Sequence, residues 1–456
     1  MVTAWLRGFA DTDLPLLRLI RDRLHGYIAE SDEAPFGIVI LRAPAGGSLP
    51  QIRMLADRAR VIVLLAPDAR LSLETKWSLL AAGAADVLDW PGNDQLTECI
   101  VPRLSRWAEI ETLVADNRVR ASVIGESSAW RDLLRQATEI AAFSDAGLLL
   151  TGETGTGKEQ IARLVHMLDR RPRKTELVVV DCTTLSRELM GSELFGHERG
   201  AFTGAVAAHD GALAVAHRGT LFLDEIGELE LSLQAQLLRV IQEHSFKRIG
   251  SNVWQKTDFR LICATNRDLE RDVDAGRFRA DLYYRVADHS LRLPPLRDRR
   301  EDILPLAAHF WRSAGDGVDP DFDETLQRFL VTRHYPGNVR DLRRIVLALR
   351  SRHPGGGSVS VGAVPQSERP ALAGAEGGGQ APEPVLSSDP WHSPGFIGAI
   401  EAAIADGIGF RDIGRAASST AIRIALEQEG GNLQRAARRL GVTDRALQMR
   451  RANGEE

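Results

Sequence analysis

Gly152, Glu153, Thr154, Gly155, Thr156, Gly157 and Lys158 form a Gly-x-x-x-x-Gly-Lys run, a spacing suited to cradling the phosphates of a nucleotide. Its glycines let backbone N–H groups approach phosphate oxygens, and a helix N-terminus after it adds partial positive charge. Lys158 can then reach the terminal phosphates. Glu159 follows where a Ser or Thr hydroxyl commonly meets magnesium. Further on, Thr220-Leu-Phe-Leu-Asp-Glu225 is an apolar run ended by two carboxylates. Beside a phosphate loop, Asp224 can position Mg2+ through water, and Glu225 can orient and deprotonate an attacking water. Paired acids at a strand end can also be merely solvated, but a phosphate loop in the same chain argues for hydrolysis of ATP.

These groups need rigid elements to hold them. Ala146–Thr151 reads as a buried strand and Glu159–Leu168 as the helix after the loop, the context that confirms a phosphate-binding loop. Leu261-Ile-Cys-Ala-Thr-Asn266 is another buried strand, closed by a polar pair. Residues 1–115 alternate apolar strands, such as Phe36–Leu41 and Val61–Leu65, with helical runs such as Leu71–Ala82. Unbroken Val/Ile/Leu runs between helices predict a parallel, doubly wound sheet. A second block spans 122–352, with a helical lid over about 300–352. His353–Gly395 is rich in Gly, Pro and Ser and reads as a flexible tether, and 396–456 is helical in pattern.

Composition narrows the classes. At 456 residues several domains are expected, and a net charge of −5 leaves any nucleic-acid contact to a local patch. The three cysteines, Cys99, Cys182 and Cys263, are far apart, which argues against a disulfide framework or zinc site and suits a reducing cytosol. No stretch approaches the ~18 apolar residues of a membrane span, so a soluble cytoplasmic protein without a membrane partner is expected.

Between the two nucleotide motifs lies Glu193-Leu-Phe-Gly-His-Glu198, leading into Gly200, Ala201, Phe202, Thr203, Gly204 and Ala205. Gly200 and Gly204 permit a sharp reversal, with Phe202 as an apolar anchor and Thr203 as a small hydrogen-bonding group. In isolation this hexapeptide reads more readily as a Gly-rich turn packing Phe202 inward. Order and spacing of the whole set resemble the AAA+ domain of bacterial enhancer-binding proteins, the activators of sigma-54 RNA polymerase, which share the Gly-Lys-Glu form at Lys158-Glu159. The resemblance implies an AAA+ P-loop ATPase core with helical lid, using ATP and Mg2+ and working as a hexamer. It further implies that Gly200–Ala205 presses on the sigma-54 polymerase holoenzyme. Asn266, with Thr265, becomes the gamma-phosphate sensor. Arg279 and Arg285, in Phe278-Arg-Ala-Asp-Leu-Tyr-Tyr-Arg285, become fingers for the neighbouring subunit's site, and Arg340 in Tyr335-Pro-Gly-Asn-Val-Arg340 a nucleotide contact from the lid. One departure concerns the strand Val178–Asp181, where the family usually carries Asn at its end. Asp181 beside Glu225 is expected to alter how that glutamate couples to the loop.

The C-terminal segment, Ile422–Glu429, Asn432–Gly441 and a last helix, reads as a helix-turn-helix whose core is Ala436, Ala437, Leu440, Val442 and Leu447. Six arginines face one acid between Asn432 and Arg451. The segment resembles the family's Fis-type domain and implies an anchor on double-stranded upstream DNA. Arg445 and Gln448 could reach base edges, and Arg450 and Arg451 phosphates, though the last helix departs from the family's usual sequence; an arginine-rich helix docking on protein stays open. The N-terminal block resembles a response-regulator receiver stripped of its chemistry. Its phosphoacceptor position falls near Arg42, and Asp89-Trp90 replaces the usual Lys before proline, so a pseudo-receiver that binds a protein or ligand, or dimerises, is expected. Two rival functions remain open at this point: a DNA-binding regulator using ATP only for assembly, and an AAA+ remodeller of some other protein.

Overall fold

The computed structural model describes residues 2–9, 13–42, 48–92, 95–171, 175–183, 187–315, 317–369, 409–429 and 432–439. They fall into two units divided after Arg369. Among the described residues the first holds two parallel sheets and a helical lid, and the second a pair of helices. Among the described residues no helix is long and apolar enough to cross a membrane.

Five parallel strands open the chain: β1 (Val2–Gly8), β2 (Ile28–Glu30), β3 (Phe36–Leu41), β4 (Arg60–Leu65) and β5 (Asp86–Leu88). Their order is β2-β1-β3-β4-β5, the doubly wound arrangement expected from the strand–helix rhythm. Every residue of β3 is buried because helices cover both faces, which is why the strand reads as an unbroken apolar run. Ser72 caps the helix Leu73–Ala81 by accepting from the Thr75 N–H. The long helix Leu96–Ala115 then leads toward the second sheet, and ion pairs tie the two sheet domains together. Arg60 lies 3.7 Å and Arg106 3.0 Å from Glu139, while Arg135 lies 2.6 Å from Glu111.

The second sheet is also wholly parallel, ordered β12-β6-β11-β8-β7, and a short hairpin stands beside it. Its members are β6 (Leu148–Thr151), β7 (Leu177–Asp181), β8 (Thr220–Asp224), β11 (Arg260–Thr265) and β12 (His289–Arg292), with β9 (Ser245–Phe246) and β10 (Gln255–Lys256) forming the hairpin. β6 therefore lies between β11 and β12, with β8 on the far side of β11. This places the phosphate loop, the acid pair and the Thr265-Asn266 pair at the same carboxyl edge, where ligands of parallel sheets bind.

The lid comprises the helices Ile303–Ser313, Glu324–Thr332 and Asn338–Arg352. Here the structure departs from the expected tether at His353, because the chain stays packed to Arg369. Val359, Ala363 and Val364 are buried in the lid core with Leu306, Leu326 and Leu342. Glu368 accepts charge from Arg333 at 2.7 Å and Arg344 at 2.6 Å, pinning the segment down. Glycines at 355–357 form a surface turn inside the lid. The rest of the expected tether lies outside the described residues.

In the second unit, helices Phe410–Gln428 and Leu433–Arg439 pack through Ala425 and Ala437. Asn432 caps the second helix by accepting from the Arg435 N–H. Leu440, Val442, Leu447 and the last helix, with Arg445, Gln448, Arg450 and Arg451, lie outside the described residues, as does the side chain of Ala436.

Candidate active site

β6 delivers the chain into a loop whose glycines bear positive φ: Gly152 at 146°, Gly155 at 78° and Gly157 at 107°. Gly157 immediately precedes the helix Lys158–Leu168, so its left-handed turn aims the helix N-terminus into the loop. Lys158 is buried, and its ammonium donates to the Gly152 carbonyl at 2.9 Å while standing 3.5 Å from Glu225 Oε1.

The acid pair closes β8 from the other side. Asp224 is the last strand residue, and Glu225 turns away with φ 52°, a left-handed conformation rare outside glycine. Its Oε2 accepts the Asn266 N–H at 3.0 Å, and Asn266 Nδ2 donates to Thr154 Oγ1 at 3.1 Å. Three motifs distant in sequence are thereby joined through one asparagine. Burial, then the Glu225 charge, pushes the Asp224 carboxyl above the usual range, with Lys158 opposing. A divalent cation would relieve that crowding, so these residues fit Mg2+ held by one carboxylate and substrate phosphates.

A cavity of about 380 Å³ connects these groups. Thr154–Glu159 with Asp224 and Glu225 line its polar end. Ile124, Leu306, Phe310 and Val339 contribute apolar lining, and Arg340 and Arg343 line the cavity from the lid. Arg343, Trp130 and Arg299 escape a reading by motif. Arg299 is a buried guanidinium over the Trp130 ring at 4.0 Å, and burial pushes its pKa down to about 10. The basic run Arg297–Arg300 was the available signal.

Arg279 and Arg285 do not line this cavity. Both stand exposed on or beside the helix Ala280–Val286, with Arg279 paired to Asp281 at 2.7 Å. Asp181 likewise turns to its own neighbourhood, accepting from the Thr183 N–H at 2.8 Å and the Thr183 hydroxyl at 2.7 Å. Among the described residues the Glu225 carboxylate is met by the Asn266 N–H at 3.0 Å and by Lys158 at 3.5 Å.

Gly200–Ala205 folds as a self-bonded tip: the Gly200 N–H donates to the Ala205 carbonyl at 2.8 Å and the Ala205 N–H to Phe202 at 3.0 Å. A Cβ on Gly200 or Gly204 would meet open space, so φ of 80° and 106°, rather than crowding, selects glycine there. Phe202 is 38% exposed and sets its ring edge-on against His197, centroids 4.9 Å apart. The inward-packed alternative does not describe it.

In the N-terminal sheet, Arg42 occupies the end of β3, and its guanidinium bridges Asp13 at 3.1 Å and Asp68 at 2.8 Å. Asp13 also accepts the Phe9 N–H. A fixed guanidinium thus fills the position of receiver chemistry.

Residues 123–292 match the Sigma-54 interaction domain and residues 297–370 the AAA+ ATPase lid domain. The chain is 37% identical over 399 residues to the transcriptional regulatory protein ZraR of Klebsiella oxytoca, covering 85% of this chain and 81% of that protein. It belongs to the sigma-54-dependent AAA+ activators. Regulatory protein AtoC of Escherichia coli K12 is 35% identical over 410 residues, covering 88% of this chain and 83% of its own. Among solved structures, NtrX from Brucella abortus in complex with ADP is similar at 24% identity and a TM-score of 0.49, covering 98% of each chain. As a member of this family the protein is an ATP-binding ATPase and a transcriptional regulator. The family's lid ends at residue 370, matching the packed segment to Arg369.

Proposed function

We propose that this activator hydrolyses ATP between neighbouring subunits of a hexameric ring and uses the Gly200–Ala205 loop to remodel the closed complex of sigma-54 polymerase and promoter. Residues 396–456 hold upstream double-stranded DNA, with Arg445 and Gln448 toward bases and Arg450 and Arg451 toward phosphates. One observation carries the reading: a single apolar core extends from the acid pair to the helix that leads toward the loop. Leu223 and Ile226, which flank Asp224 and Glu225, share it with Leu194 and Phe195, which lead into the loop. A shift at the acid pair is thereby transmitted through close-packed side chains.

In this mechanism the loop N–H groups and Lys158 bind the phosphates. Asp224 would hold Mg2+, which when bound would neutralise phosphate charge. Glu225, oriented by the Asn266 N–H, takes the proton of the attacking water, while Asn266 registers the terminal phosphate through its side chain. Arg340 reaches the nucleotide from the lid. Arg279 and Arg285, exposed and outside their own cavity, complete the neighbouring subunit's site.

Transcription in vitro with sigma-54 polymerase, ATP and an upstream site tests the proposal. Thr203→Ala is expected to lose activation by at least about tenfold while retaining hydrolysis. Equal activation by the variant and the wild type would refute the loop's role.

A further inference from the structure

Glu153 lies within the phosphate loop, yet its carboxylate points to the lid. Arg297 grips it through both guanidinium nitrogens, at 2.7 and 2.9 Å. Asn338 Nδ2 adds a third bond at 3.1 Å and also donates to the Thr154 carbonyl at 3.0 Å. The same amide's oxygen accepts the Leu296 N–H at 2.8 Å, so both donors and one acceptor lone pair are used between lid and loop. Asn338 is 1% exposed and held at φ 49° to do so. Its successor Val339 donates its N–H to the Gly155 carbonyl at 2.9 Å, and Arg299 donates to the Thr156 carbonyl at 2.7 Å. Four consecutive loop residues, 153 to 156, are therefore held from the lid side. The approach is close enough that a Cβ on Gly155 would lie 2.2 Å from the Gly337 carbonyl oxygen.

We propose that Glu153, Arg297 and Asn338 are a latch by which the lid sets the phosphate-binding shape of the loop. They act as positioning residues, with Glu153 contacting the lid in place of the nucleotide. The inference rests on residues 152–158 being the phosphate cradle. An exposed ion pair alone contributes little; here the bidentate fork is backed by a buried amide that would lose two acceptors at once. Arg297, then Asn338, holds the Glu153 carboxyl below its ordinary range, so the latch stays charged throughout the neutral region. Lid movement and phosphate affinity become one variable.

The test is binding of a fluorescent ADP analogue and steady-state hydrolysis in the full chain. Asn338→Gly keeps the positive φ without steric cost and deletes only the amide; it should weaken nucleotide binding about tenfold. Arg297→Ala and Glu153→Gln, at partly exposed positions where folding is safe, should each weaken it about three- to tenfold, with KM rising more than kcat falls. Their double variant should be no worse than either alone, because both remove the same contact. Affinities within about twofold of wild type for Asn338→Gly and Glu153→Gln, or losses that multiply in the double variant, overturn the latch. Undiminished binding by Lys158→Ala would instead sink the cradle itself.

Discussion

Asp13 and Asp224 sit at the carboxyl edges of two parallel five-stranded sheets in the same chain, and each site contains a cation. In the N-terminal sheet that cation is Arg42, whose planar fork spans Asp13 and Asp68. In the ATPase it is Lys158, a point charge on a flexible stem that rests on the Gly152 carbonyl and lies near Glu225. A guanidinium satisfies both carboxylates in a fixed geometry, whereas an ammonium can leave a carbonyl to meet a phosphate. The architecture is shared; the side chain chosen for the positive charge decides whether the crevice stays available for chemistry.

Removing each cation breaks the comparison most directly. Lys158→Ala should reduce phosphate release by at least about a hundredfold, measured by a coupled phosphate assay. A rate within tenfold of wild type would mean that the ammonium is as structural as Arg42. Arg42→Ala should instead act on stability, costing about 1–3 kcal/mol as the buried Asp13 loses this ion-pair partner. The readout is faster hydrogen exchange in β1 and β3, and unchanged protection there would show that the guanidinium holds nothing. The smallest effect concerns thiols that distinguish the two sheets. Burial and the neighbouring carboxylates push Cys182 up to about 12, and burial pushes Cys263 well above its ordinary value, while Cys99 is partly accessible. At about pH 8 a thiol reagent should therefore label Cys99 in the native chain and all three only after unfolding. Rapid labelling of Cys182 would show an open edge beside the acid pair.

What could be read from sequence follows the range of the interactions. The phosphate loop, the acid pair and Asn266 are legible because each is a short run whose backbone geometry demands its residues. Gly157, for instance, is required by the left-handed turn into the helix. Arg42 fixes Asp13 from 29 residues away, and nothing local to either announces the pairing. The lid's end is hidden for the opposite reason: Pro354-Gly-Gly-Gly357 has the composition of a tether, but Val359, Ala363 and Val364 beyond it fill a core. The place of Glu153 in the motif points to nucleotide, and only the lid's position reveals where its carboxylate goes.

Asp302 carries a practical corollary. Fully buried, it accepts the Glu126 N–H at 2.6 Å, the Ser127 N–H at 2.7 Å and the Ser127 hydroxyl at 2.8 Å. A free-standing ATPase fragment begun at Ser128 would strand that carboxylate without these three donors and loosen the first turn of the helix beside Trp130. The safe place to cut the chain therefore lies upstream of Glu126, even though every recognisable motif comes later.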